Sequence, residues 1–259
     1  MPNKFAIITG ASTGIGYELG KLAADDGYDL LVVADTPLVD AAAAFKGAGV
    51  QVETVEADLS TTDGVDQLLA VVGGRQVDLL CANAGHGLGH AFLDQNVADW
   101  RHVIDTNVIG TLYLLQQVLK PMAARNQGKV LVTGSVAGFM PGTFQAVYNG
   151  TKAFIDSFVD ALRAELKDQD GITITNLMPG PTETQFFHRA GMDDTKVGQA
   201  EKDDPADVAK TGWDALMGGK TDVVHGIKNK LQAAAAHVLP EGVTAAMHRD
   251  MAEPGSGDR

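Results

Sequence analysis

Positive charge is scarce in this chain. Lysine and arginine total 20 against 33 acidic residues, a formal charge of −13, and the isoelectric point lies near 4.8. Nucleic acid demands a basic footprint, so it is not expected as a partner; an acidic surface also disfavours anionic lipid. Cysteine is nearly absent. Cys81 stands alone inside an apolar run, so no intramolecular disulfide and no thiolate metal cluster can form, and the residue reads as a small buried hydrophobe. Long apolar runs are missing as well. The stretch Phe5-Ala6-Ile7-Ile8 is too short for a membrane span or a secretion signal, and a cytoplasmic enzyme is the default expectation. His86 and His90 stand four apart, but no acidic or sulfur ligand falls at a matching spacing, so no metal is expected.

What is present suits one α/β domain. The chain has 259 residues, 45% of them hydrophobic and 20% charged, enough for a sizeable core and too apolar for wholesale disorder. There is no repeat and no linker, so a single domain is expected over residues 1–251, with 252–259 as a loose tail. Residues 5–9 form a short apolar run of strand character. They lead into Thr9-Gly10-Ala11-Ser12-Thr13-Gly14-Ile15-Gly16 and then a helical pattern through Leu19, Leu22 and Ala23. Strand, glycine turn, helix is the context in which backbone can approach a pyrophosphate held at a helix N-terminus. The Gly-Lys-Ser/Thr of an ATP-binding loop is missing. Asp35 closes the second strand 19 residues after Gly16, where an acid can bond adenosine ribose hydroxyls.

Further strands are expected at residues 50–57, 77–82, 129–133 and 172–178, alternating with helices, and a short last strand begins at Asp222. This pattern predicts a doubly wound, mostly parallel sheet of about seven strands with helices on both faces, a Rossmann-like fold. Asn83-Ala84-Gly85, Ser135 and Pro179-Gly180 all fall at C-terminal strand ends, the edge where open α/β sheets bind ligands. A long helix is expected to start at Asp99, with Asn107 beside an apolar stripe running from Ile104 to Met122; a polar residue there needs a partner. Residues 185–204 lack a clear period and read as a lid. Helices are expected from Asp204-Pro205, over 228–238 and over 243–247. Tyr148 and Lys152, four apart on one helix face, place an ammonium beside a phenol, an arrangement that lowers the phenol's pKa from about 10 and lets it transfer protons.

Taken in order, these residues resemble the short-chain dehydrogenases/reductases over about residues 5–224: Thr9-Gly10-x-x-x-Gly14-x-Gly16, Asn83-Ala84-Gly85, Asn107, Ser135, Tyr148-x-x-x-Lys152 and Pro179-Gly180. The resemblance implies an NAD(P)-dependent oxidoreductase acting on an alcohol or ketone. Tyr148 would be the general acid/base, Lys152 its electrostatic partner and a holder of the nicotinamide ribose, and Ser135 the donor to the substrate oxygen. Asn107 would hold a relay water. Gly10, Ser12, Thr13, Gly14, Ile15, Gly16, Asn83, Ala84 and Gly85 would surround the dinucleotide, with Asp58 and Leu59 flanking adenine, Pro179 and Gly180 beside the nicotinamide, and Thr182 and Thr184 at its carboxamide. Relatives that prefer NADP tend to carry arginine where Asp35 stands; NAD is therefore the expected cofactor, although in NAD-preferring relatives the acid more often occupies the position of Ala34. Phe139, Met140, Phe144, Phe186 and Phe187 would wall an apolar substrate pocket. A homodimer or homotetramer is the family's habit. The alternative is a catalytically silent nucleotide-binding regulatory module.

Overall fold

The computed structural model describes residues 3–236 and 238–257. Seven parallel strands form one sheet in the order β3-β2-β1-β4-β5-β6-β7. They are β1 (Phe5–Thr9), β2 (Asp29–Ala34), β3 (Val52–Glu56), β4 (Leu79–Ala82), β5 (Gly128–Thr133), β6 (Ile172–Met178) and β7 (Asp222–Val224). β1 and β4 are buried at every residue, because helices cover both faces and neither side of a central strand reaches water. One face carries α3 (Thr62–Val72), α5 (Thr111–Arg125) and α6 (Ala146–Glu165), whose Leu68, Leu115, Met122 and Val159 pack on Ile7, Leu31 and Val130. The other carries α1 (Gly14–Asp25), α2 (Val39–Lys46) and α9 (Pro205–Met217), packed through Leu19, Phe45 and Trp213 on Ile8, Leu30 and Leu79. The order reverses at β1, whose two neighbours are β2 and β4, and that reversal opens a crevice at the C-terminal edge.

Local chemistry sets the helix starts. Thr61 Oγ1 accepts from Gly64 N at 3.0 Å to cap α3. Asp204 Oδ1 accepts from Ala206 N at 2.7 Å ahead of Pro205, as proline at the first helical position favours. The long helix begins at Val97, two residues before the expected Asp99, and it is not uniform: α4 (Val97–Ile104) passes through a π turn, Asp105–Gly110, before continuing as α5. An apolar stripe does not register such a widening, since the flanking turns keep their period.

Residues 185–204 are more ordered than their composition suggests. They contain α7 (Phe186–Arg189) and α8 (Lys196–Gln199). The expected helices at 228–238 and 243–247 are α10 (Ile227–Ala236) and α11 (Glu241–Ala252). The tail expected to be loose is docked through Gly257. Ser256 is buried and its Oγ accepts from Lys196 N at 2.9 Å, while Gly255 N donates to Asp194 Oδ2 at 2.7 Å. These are long-range bonds to the 185–204 segment, which a Gly/Ser-rich composition cannot reveal. Asp258 and Arg259 lie outside the described residues. Among the described residues no helix is long and apolar enough to cross a membrane.

Candidate active site

A cavity of about 510 Å³ opens at the C-terminal edge of the sheet. Its floor is the turn between β1 and α1. Gly10 and Gly14 have φ of +65° and +60°, conformations that a side chain disfavours. A Cβ on Gly16 would lie 2.1 Å from Gly10 O, so Gly16 sits beneath the cavity and lets the helix close onto the strand, while Gly10, Ser12, Thr13, Gly14 and Ile15 line it. The first turn of α1 contains no acidic residue, and Thr13 makes no side-chain cap. The helix therefore offers uncapped N–H groups to an anion.

The neighbouring strand ends are pinned to one another. Thr9 Oγ1 accepts from both Asn83 N and Ala84 N at 2.9 Å. Asn83 Nδ2 donates to Thr9 O, and Asn83 Oδ1 accepts from Thr133 Oγ1 at 3.1 Å. Asn83, Ala84 and Gly85 are thereby fixed along one wall, joined by Asp35, Asp58 and Leu59 toward one end and by Pro179, Gly180, Thr182 and Thr184 toward the other. Asp35 lies 3.3 Å from His86 Nε2, and the hydrogen bond from that imidazole holds its carboxyl below the usual range, against its partial burial. Burial alone pushes the Cys81 thiol up.

Asn107 does not line the cavity. It is buried in the π turn behind Gly85, where its Oδ1 accepts from His86 N at 2.8 Å. Its Nδ2 donates to His86 O at 2.9 Å and to Thr151 Oγ1 at 3.0 Å. The side-chain amide is thus engaged at both ends, tying the residue after Asn83-Ala84-Gly85 to the helix that carries Lys152.

Ser135, Tyr148 and Lys152 converge on the cavity wall. Ser135 Oγ accepts from Ala137 N at 3.1 Å and donates to Pro179 O at 3.4 Å, and Ser135 lies near enough to the Tyr148 hydroxyl to lower its pKa. Lys152 is buried and donates from Nζ to Thr133 O at 2.7 Å; that nitrogen stands 5.9 Å from the centroid of the Tyr148 ring. The sequence predicts a lowered phenol pKa, and the structure gives the opposite sign. Burial pushes the Tyr148 hydroxyl up to about 12, opposed by the nearby Ser135. The ammonium is turned toward a carbonyl rather than the phenol, so desolvation prevails.

Sequence reasoning missed one member of this helix face. Asp156, one turn beyond Lys152, is held by Asn176 Nδ2 at 2.8 Å on Oδ1, while its Oδ2 is buried without a hydrogen-bond partner. Burial raises its pKa and lowers that of Lys152, and the two charges oppose both effects. The i+4 spacing from Lys152 is the signal that could have revealed it.

The 185–204 segment closes the remaining side. A Cβ on Gly87 would come 2.3 Å from Phe186 Cζ, and one on Gly14 2.8 Å from Thr184 Cγ2, so both loops are shaped to the segment above them. Gly89 N donates to Ala190 O at 2.8 Å. Met140, Phe186 and Phe187 line the cavity as the sequence suggested; Phe139 does not, and Phe144 faces a separate, smaller cavity beside Ala91 and Pro254. Gln232, His248 and Met251, which no motif singled out, complete the wall from α10 and α11.

A cleft with a glycine turn, an uncapped helix N-terminus, the Asp35 carboxylate and a buried lysine fits a dinucleotide by its donor and acceptor set. Comparison with known proteins gives the same class. The family model for short chain dehydrogenases matches residues 4–195, and the chain belongs to that family of oxidoreductases. It is 30% identical over 202 residues to an uncharacterized oxidoreductase of Staphylococcus epidermidis, covering 76% of this chain and 86% of that one. A short-chain dehydrogenase from Sphingobium yanoikuyae in complex with NADPH superposes with a TM-score of 0.82 at 25% identity, over 96% of this chain and 97% of the other. A short chain dehydrogenase/reductase from Burkholderia phymatum in complex with NAD superposes with a TM-score of 0.81 at 23% identity, over 91% and 93% of the two chains, a likeness of fold.

Proposed function

We propose that this chain interconverts an alcohol and a carbonyl compound with a nicotinamide dinucleotide, with Tyr148 as the general acid/base. The reading is carried by one observation: Ser135, Tyr148 and Lys152 line the wall of the same cavity that the glycine turn floors. When bound, the nicotinamide supplies or accepts the hydride, and the protein's task is to orient and polarise. Ser135 and Tyr148 donate to the substrate oxygen, and Tyr148 passes it a proton during reduction or takes one during oxidation. Lys152, 5.9 Å from the Tyr148 ring, stabilises the phenolate when the proton leaves and binds the nicotinamide ribose. Asn107 holds the wall between them. Gly10, Ser12, Thr13, Gly14 and Ile15 receive the pyrophosphate half, Asp58 and Leu59 the adenine, and Pro179, Gly180, Thr182 and Thr184 the nicotinamide end.

NAD is the proposed cofactor, because the Asp35 carboxylate repels a 2′-phosphate and accepts from a free 2′-hydroxyl. The apolar side chains of Met140, Phe186 and Phe187 on the wall favour an apolar ketone or alcohol. Exposed Ile109 and Phe154 support a homodimer across the α4–α6 face. The test is a screen of secondary alcohols and ketones by NADH absorbance, with Tyr148→Phe as the reference. The variant is expected to bind NADH as the parent does and to lose about 100-fold or more in kcat. Undiminished turnover removes Tyr148 from the chemistry; nucleotide binding without turnover of any compound by the parent favours the silent regulatory module.

A further inference from the structure

Two polar side chains on the cavity wall have no part in the proton transfer. Gln145 and His248 are each 6% exposed, and both line the cavity. Gln145 stands one turn before Tyr148, at the entrance to α6, where its side chain caps nothing. Its amide has no hydrogen-bond partner among the described residues, and neither amide atom is sealed in protein. His248 comes from α11. Its Nδ1 lies 2.9 Å from Thr143 O; a carbonyl only accepts, so Nδ1 carries the proton. Burial lowers the imidazole's pKa, which keeps the ring neutral and leaves the Nε2 lone pair unused. Helix α11 also fixes the turn ahead of Gln145. Thr143 Oγ1 donates to Ala245 O at 2.9 Å, and the Arg249 guanidinium lies 5.5 Å over the Phe144 ring. Between Thr143 and Gln145, Phe144 keeps φ at +65°, which a bulky residue holds only where its surroundings enforce it.

We propose that Gln145 and His248 form a second polar subsite of this cavity, which selects carbonyl compounds and alcohols carrying a further hydroxyl a few carbon atoms from the reacting one. The proposal rests on the oxidoreductase reading above and narrows its substrate. In this tautomer Nε2 only accepts, so it calls for a donor. The Gln145 amide can donate in return. A hydroxyl does both at once, whereas a second carbonyl or an ether has no proton to give Nε2. Neither side chain is charged, so a carboxylate or phosphate finds no countercharge in the pair. Side chains one turn apart share a helix face. Gln145 therefore neighbours Tyr148, and the second hydroxyl belongs near the reacting carbon rather than at the end of a long chain. Met140 and Met251 line the same cavity and suit an apolar body. A wholly apolar substrate shuts water away from two buried polar groups without pairing them, a penalty that a hydroxylated one escapes.

Matched ketones test the assignment: cyclohexanone, cyclooctanone and tetralone, each with and without one further hydroxyl. Turnover is followed by NADH absorbance, and dissociation constants come from calorimetry on the NADH-saturated protein. In the parent, kcat/KM for the best hydroxylated member should exceed that for its plain ketone by about tenfold or more, with the dissociation constants moving the same way. His248→Asn keeps a donor for Thr143 O but lacks the second nitrogen. Its ratio should fall to within about twofold of unity at a nearly unchanged thermal midpoint. His248→Gln, which returns an amide oxygen near the place of Nε2, should recover part of the preference. Gln145→Leu touches neither tie to α11 and serves as a second variant; it too should lower the ratio. A ratio near unity in the parent, or the parental ratio kept in both His248→Asn and Gln145→Leu, overturns the inference, while turnover that is lost in Tyr148→Phe leaves the oxidoreductase reading intact. Neither turnover nor binding of any member by the parent overturns both.

Discussion

The phenol of Tyr148 is held in its protonated form by burial, which makes it a weaker acid than a free tyrosine. Desolvation penalises the phenolate, so the free protein keeps this proton until the pH approaches about 12. The sign is definite: phenolate grows as pH rises, and very little forms near neutrality. Ultraviolet difference titration of the parent against Tyr148→Phe should therefore show no phenolate signal from this residue below about pH 10; a step near neutrality would mean that Lys152 dominates after all. The four-residue spacing made the Tyr148–Lys152 pair legible in sequence. The direction of the ammonium was not legible, because it depends on Thr133 O at the end of a strand remote in the chain. Asn107 gives the complementary case. A polar residue beside an apolar stripe announced that it needed partners, and those partners are a loop backbone and Thr151. Asn107→Ala removes three hydrogen bonds and strands buried groups, so a loss of about 1–3 kcal/mol is expected from urea unfolding at unchanged slope.

Among the elements, the inner strands and long helices could be read because they bury continuous apolar runs or stripes. Gly10, Gly14 and Gly16 were legible because strand and helix flank them. The lid was not, since α7 and α8 are four residues each, barely one turn and too short to display a period. The π turn escaped for the reason already given, that its neighbours keep the stripe. The C-terminal segment carries the strongest element-level expectation. Ser256, Gly255 and Gly257 bond to residues 194–196, and Lys196 pairs with Asp250 at 2.6 Å. A chain truncated after Ala252 should be cleaved by trypsin at Arg189, Lys196 or Lys202 several-fold faster than the full chain, at a nearly unchanged thermal midpoint, because local opening needs less free energy than global unfolding. Equal cleavage rates would mean that the lid holds without the tail.

The molecule as a whole is acidic, and several large apolar side chains are exposed near α4 and α6. Phe92, Leu93 and Val97, with Ile109 and Phe154, are exposed around α4 and α6, and Phe154 stacks on Phe158 at 6.2 Å. If this face joins two copies, Ile109→Asp combined with Phe154→Glu should shift the sedimentation equilibrium to monomer, since buried like charges cost more than an interface of this kind supplies. Unchanged mass would place the interface elsewhere. The acidic balance could be read from composition alone, whereas the meeting of Asp35 and His86 at 3.3 Å appears only after folding.

The region matched by the family ends at residue 195, yet Gln232, His248 and Met251 lie beyond it and close the far wall of the cavity. Part of the cavity wall thus comes from a stretch of chain beyond the one that carries Ser135, Tyr148 and Lys152. If the proposed chemistry at Tyr148 holds, exchanging residues 227–252 between relatives should change which compounds are accepted while leaving Ser135, Tyr148 and Lys152 where they are.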